Sequence, residues 1–159
     1  MNLQRWSLLF VLLVGMLPVG CGQVKPQKGT IEAVAPEAKA LLDAFMAKVA
    51  QNDVNGAFAL IDSKATWPQG KEDVQNIARL TVEELDKRKA RYGEPIGVEF
   101  IQQNMVGESL TEFVYLEKFE RHAIRWMFVF YKPETEWVFN NLTWDDKVRL
   151  LFPTNYDDK

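Results

Sequence analysis

A single cysteine and a single histidine among 159 residues remove several kinds of chemistry at once. One cysteine forms no intramolecular disulfide, and with one histidine it leaves no ligand set for a zinc ion. That histidine, His122, falls in a predicted turn beside Arg121 and reads as a solvated turn residue, so a histidine-dependent triad or dehydratase lacks its base. Gly-rich phosphate loops are missing, and no acidic loop has the spacing of a calcium site. Asp145-Asp146 and Asp157-Asp158 fit helix capping and a solvated tail instead. No metal or cofactor is implied. Basic excess is also missing: 19 Lys and Arg face 22 Asp and Glu, which gives no electrostatic footprint for nucleic acid. Finally, the apolar run from Trp6 to Leu17 falls short of the roughly 20 residues that a membrane-spanning helix needs.

What is there begins with that run. One cation, Arg5, precedes the apolar stretch and small residues precede Cys21, the organisation of a secretory signal peptide over residues 1–20. The segment resembles a bacterial lipoprotein signal. Val19, Gly20 and Cys21 match the lipobox, while Pro18 departs from it, because the leucine expected three places before the cysteine stands one place early as Leu17. The resemblance implies cleavage before Cys21, acylation of its thiol and α-amino group by palmitate-type chains, and anchoring in the cell envelope. Several acyl chains make such anchoring stable, each buried CH₂ contributing about 0.8 kcal/mol. Gly22 rather than Asp follows the cysteine, which in the families this signal resembles implies the outer membrane, facing the periplasm. Loss of residues 1–20 removes Arg5 and no acid, so 18 basic residues then face 22 acidic ones and the net charge is about −4. Residues 22–35, GQVKPQKGTIEAVA, lack sustained periodicity and read as a flexible tether.

The remaining chain predicts one domain over 36–153 and a frayed tail over 154–159. Its organising stretch is Val98 to Thr143, four runs of β-branched and aromatic residues separated by turn signals, which predicts an antiparallel meander. Tight turns at Gly107-Glu108, Arg121-His122 and Pro133-Glu134 give mutually consistent registers. They place Phe100 opposite Tyr115, Gln102 opposite Phe113, Tyr115 opposite Phe128, Glu117 opposite Trp126 and Trp126 opposite Asn141. Alternation then gathers Phe100, Phe113, Tyr115, Phe119, Trp126, Phe128, Phe130, Trp137 and Phe139 on one face. The other face carries Ile101, Val114, Leu116, Met127, Val129, Val138 and Leu142 among charged residues, either as a half-solvated surface or as a partner surface for a homodimer.

The aromatic face needs a cover, and helical spacing supplies it. Pro36 opens a helix with Leu41, Leu42, Phe45, Met46 and Val49 inward. Asp53 caps a second helix through Ile61. A third runs from about Lys71 to Tyr92 with Val74, Ile77, Ala78, Leu85 and Tyr92 inward and Lys87, Arg88 and Arg91 on a charged outer face; Gly93 and Pro95 end it. A short terminal helix capped by Thr143 is predicted to close the domain. The class is therefore α+β, with helices on one face of a curved four-stranded antiparallel meander.

This order of elements, with YGEPIGVEFI, WMFVFYKPETEWVF and TWDDKVRLLF, resembles the nuclear transport factor 2-like superfamily of cone-shaped α+β domains, more narrowly its small bacterial lipoproteins of uncharacterised function. The resemblance covers about residues 36–152. It implies a sheet wrapped around helices with a pocket at the open end, and says little of function because the fold hosts many activities. The register nominates Gln102, Tyr115, Glu117, Trp126 and Asn141 as pocket residues. Glu117 against the Trp126 indole could have its carboxyl raised by desolvation and act as a general acid or base, or it could be neutralised by a basic residue of the helices. Three functions follow: a non-enzymatic, membrane-tethered domain that binds a small apolar ligand or a protein partner; an isomerase-like or dehydratase-like lyase using Glu117 with Tyr115 or Asn141; and a structural dimer.

Overall fold

The structure, a computed structural model, describes residues 35–152. The signal, Cys21, residues 22–34 of the tether, Pro153 and the tail lie outside the described residues, whereas Ala35, expected as the last residue of the tether, is buried in the core. Three helices, α1 (Pro36–Ala50), α2 (Val54–Asp62) and α3 (Pro68–Tyr92), precede four strands, β1 (Pro95–Val106), β2 (Leu110–Phe119), β3 (Ala123–Tyr131) and β4 (Val138–Asp145). The strands form one antiparallel sheet in the order β1-β2-β3-β4. The fold is α+β, with the helices packed on the aromatic face.

Local chemistry explains the helix ends. Pro36 and Pro68 stand in the first turns of α1 and α3, where a missing N–H removes nothing from the helix. The Asp53 carboxylate accepts the Gly56 N–H at 2.9 Å and caps α2. The third helix, expected from about Lys71, begins at Pro68, because Trp67 is extended and Pro68 already stands in its first turn. Gly93 ends α3 at φ 90°, ψ −169°, a conformation essentially closed to residues with a Cβ.

All nine aromatic residues expected on one face are buried in the core or packed against it. Phe45 of α1 is their meeting point, touching Phe58, Trp126 and Phe128 edge-on with centroids 5.2, 5.7 and 5.2 Å away. Such ring pairs each contribute about 0.5–1.5 kcal/mol beyond simple burial.

The registers differ from expectation in instructive ways. In the β2–β3 hairpin the turn is Glu120-Arg121, not Arg121-His122, since the Phe119 N–H reaches the His122 carbonyl at 2.8 Å. Moving a turn centre by one residue moves every partner by two. Tyr115 therefore faces Trp126 and Glu117 faces Ile124, yet each keeps its expected side of the sheet. The turn is drawn to this position by the end of α3: Glu120 and Arg121 donate their N–H groups to the carbonyls of Glu94 and Tyr92, at 3.1 and 2.9 Å.

Bulges have a different effect, because one extra residue reverses the facing of everything beyond it. Phe100 pairs with Tyr115 as expected, but Gln102 pairs with Val114, so Ile101 is extra and Gln103, not Gln102, lies opposite Phe113. In β4 the partners pass from Phe130–Phe139 to Val129–Asn141, making Asn140 the extra residue. Asn141 consequently lies on the exposed face, and Leu142, expected there, is buried in the core. The expected terminal helix is reduced to one 3₁₀ turn, Val148–Leu151, because Thr143, its proposed cap, continues β4 opposite Met127.

The β4 register predicts that Leu142→Ala, which opens a cavity, lowers stability by about 2–5 kcal/mol. Asn141→Ala, which loses one local hydrogen bond, costs about 1 kcal/mol. Urea unfolding of the two variants checks the order, and equal losses would restore the unbulged register.

Candidate functional site

The five residues nominated from sequence divide into two sets. Gln102 and Asn141 stand on the face away from the helices, opposite Val114 and Val129. The Asn141 Oδ1 accepts the Leu142 N–H at 2.7 Å, a local bond at the bulge. Tyr115, Glu117 and Trp126 come together in the core, Tyr115 and Trp126 as cross-strand partners.

Glu117 is only 2 % exposed. Its Oε2 accepts from Arg88 Nη1 at 2.9 Å and from Trp126 Nε1 at 3.0 Å. Arg88, 4 % exposed, is therefore a core residue of α3 and not part of its outer face. Its guanidinium lies 5.2 Å from the Trp144 ring centroid and sends Nη2 toward the Thr81 carbonyl at 3.4 Å. Thr81 Oγ1 accepts the Trp144 Nε1–H at 2.8 Å and donates to the Ile77 carbonyl at 2.7 Å. The buried polar groups thus join α3 to β2, β3 and β4. Arg88 Nε is buried without a partner, the one side-chain atom in that condition among the described residues. An unmet donor of this kind costs about 1–3 kcal/mol.

Burial pushes the Glu117 carboxyl up, and the Arg88 charge with the Trp126 and Arg88 hydrogen bonds pulls it partly back. Tyr115, whose hydroxyl donates to Asp43 Oδ1 at 2.8 Å, is pushed up by burial first and then by that carboxylate. Neither side chain lines either of the two clefts described next, although Arg88, which holds Glu117, lines the first of them.

Two clefts open elsewhere. One, of about 480 Å³, lies between α3 and the end of β4 and is ringed by groups already engaged with one another. Tyr92 donates to Asp146 at 2.8 Å, and that bond, ahead of the Arg91 charge, holds the Asp146 carboxyl low. Asp145 is held low by its two-pronged contact with Arg125, at 3.0 and 2.8 Å. The His122 ring packs 4.8 Å from Tyr92 and its Nε2 lies 3.2 Å from the Asp146 carbonyl, so this residue is a half-buried brace at the hairpin turn, not a solvated one. The second cleft, of about 670 Å³, sits where the chain enters α1 and is walled by Leu41, Phe130, Trp137 and Phe139, with Glu37, Lys64 and Glu136 among its polar residues. Among the described residues no group of three or more His, Cys, Asp or Glu side chains is gathered as a metal ion requires, and no helix is long and apolar enough to cross a membrane.

Arg88 and Thr81 were the residues that a search for apolar periodicity missed. The signal was present in another form: Val74, Thr81 and Arg88 repeat every seven residues and Tyr92 follows four later, a continuous helix stripe in which the polar members face the core.

Arg88→Met strands the Glu117 carboxyl in the core and is expected to cost about 3–5 kcal/mol. Adding Glu117→Gln, which keeps an oxygen for Trp126 and removes the charge, recovers at least half of that loss in the same denaturation assay. A second prediction concerns pH. Because the native Glu117 carboxyl is raised above its ordinary value of 4.5, the folded chain holds that proton when the unfolded chain has released it. The group's contribution is present below pH 4.5 and is lost as pH rises through the folded value. Wild-type stability should therefore fall with rising pH relative to Glu117→Gln, and a gap that widens in the opposite direction refutes this direction.

Compared with family models, curated proteins and solved structures, the chain matches none.

Proposed function

We propose that this chain is a non-enzymatic, membrane-tethered domain of the bacterial cell envelope that binds a small apolar ligand in the cleft walled by Leu41, Phe130, Trp137 and Phe139. The observation that carries the reading is the division of labour between core and cleft. The one carboxylate of chemical interest, Glu117, is enclosed with Arg88 and Trp126, whereas the larger cleft sets Leu41, Trp137 and Val138 beside a comparable share of polar groups, among them Glu37, Lys64, Thr66 and Glu136. Concave, largely apolar sites with a few polar groups at the rim are what small ligands occupy. Trp137 lies half-buried at this cleft with Lys132 Nζ 5.2 Å from its ring centroid, so the indole has both an apolar body and a charged neighbour.

The tether belongs to the same reading and rests on the lipobox-like Val19-Gly20-Cys21. Acylation of Cys21 would hold the domain at the outer membrane on the periplasmic side. The nuclear transport factor 2-like resemblance, with its pocket at the open end of a cone, is compatible with a cleft at the entry of α1.

The neutral fluorescent probe N-phenyl-1-naphthylamine tests the site. The protein is expected to bind it with enhanced emission, and Trp137→Ala, which removes a cleft wall outside the strands, weakens binding about tenfold, equivalent to 1.4 kcal/mol. Probe binding unchanged by Trp137→Ala and by Leu41→Ala would overturn the assignment of this cleft.

A further inference from the structure

On the face of the sheet turned away from the helices, Val106, Leu110, Tyr131 and Val138 are successive cross-strand partners. They form a row that is apolar on all four strands. The next rows are interrupted by Asn104, Glu112 and Asn141, then by Gln102 and Thr143, then by Glu99, Arg125 and Asp145. Val106, Leu110 and Tyr131 remain 63 %, 37 % and 40 % exposed. The other large exposed apolar side chains do not make such a row: Leu80 and Val82 sit on α3, Leu150 and Phe152 where the described chain ends, and Ile96 is the unpaired residue of a register shift at the far end of β1.

The row lies at the end of the domain where the chain enters. The β1–β2 and β3–β4 loops meet there, the Lys132 N–H reaching the Ser109 carbonyl at 2.8 Å. Val138 also lines the larger cleft together with Ala35, the first described residue. Residues 22–34 therefore join the domain beside the row, and even fully extended they reach no more than roughly 45 Å.

We propose that this end of the sheet rests on the lipid bilayer, with Val106, Leu110 and Tyr131 in the interfacial region; the inference depends on the tethering at Cys21 proposed above. A tether converts the contact into an intramolecular event at high effective concentration, so three exposed side chains suffice where free association would fail. Tyr131 has the amphipathic ring that the membrane interface favours. The flanking loops carry Glu108, Glu134 and Glu136 against Lys132, a balance that opposes attraction to anionic lipid and makes apolar contact with zwitterionic lipid the driving term. This orientation puts the ring-walled cleft on the bilayer side, close to a source of apolar ligands.

The test uses the full chain purified from envelope membranes and reconstituted in phosphatidylcholine vesicles in which a fraction of the acyl chains carries bromine. An environment-sensitive dye is placed at Val106→Cys, at Leu110→Cys and, as the equally exposed control, at Ile96→Cys, whose native side chain is 64 % exposed. Loss of most of the emission at 106 and 110 with none at 96 is the expected result. Equal quenching at all three, or none at 106 and 110, overturns the orientation. A concentration-dependent dimer that Leu110→Glu dissolves overturns it too, by putting a second copy on the row. The tether is read separately, by the mass of the N-terminal peptide: a peptide without acyl chains refutes the tethering reading and this inference with it, whereas an acylated peptide with unquenched dyes refutes the orientation alone.

Discussion

The paired side chains of Arg88 and Glu117 set the geometry on which the rest of the domain depends. They meet at 2.9 Å inside the layer between α3 and β2, with Trp126 of β3 donating to the same carboxylate oxygen. An apolar core would attract α3 to the sheet without fixing its rotation or its position along the strands, since hydrophobic contact has no direction. A guanidinium that must find one carboxylate, one carbonyl and one indole face does have direction. Here the electrostatic attraction is offset by the desolvation of both groups, so the benefit is uniqueness of arrangement more than depth of stability. The unpartnered Arg88 Nε is a visible part of that cost.

From this junction the other elements fall into place. Tyr92, one turn beyond Arg88, ends α3 with its carbonyl on the Arg121 N–H and its hydroxyl on Asp146. One helix end thereby holds the β2–β3 turn and the residue after β4. At the opposite end α1 is held by rings, with Phe45 packed against Trp126 and Phe128 and Asp43 accepting from the Tyr115 hydroxyl. The polar junction and the aromatic junction share Trp126, whose indole N–H reaches Glu117 while its ring packs on Phe45. The clefts lie to either side of this filled centre.

Sequence patterning revealed the faces of the sheet better than its register. Alternation is a parity property, and the turn displaced from Arg121-His122 to Glu120-Arg121 changes partners without changing parity, so the aromatic face was legible in full. Bulges do change parity. Nothing in Phe100-Ile101-Gln102 or Phe139-Asn140-Asn141 marks an extra residue, and Gln102 and Asn141 were accordingly assigned to the wrong side. The helices were readable from Pro36, Asp53 and Gly93, whose effects are local. Arg88 was not, because a charged residue enters a core only when a partner waits there, and its partner lies 29 positions away in sequence. The ring-walled cleft was hidden for a related reason: Leu41 and Phe139 become neighbours only when β4 and α1 are brought to the same end.

The same bulges have an effect on what the sheet refuses to do. β1 and β4 are its two edges, and each is interrupted, β1 at Ile96 and Ile101 and β4 at Asn140. A regular border of alternating amide and carbonyl groups is a template for a foreign strand, and fibrils grow by such addition. An irregular border presents its hydrogen-bonding groups out of step. The interruptions that obscure the register in the sequence thus leave a four-stranded ribbon with poor margins for self-polymerisation.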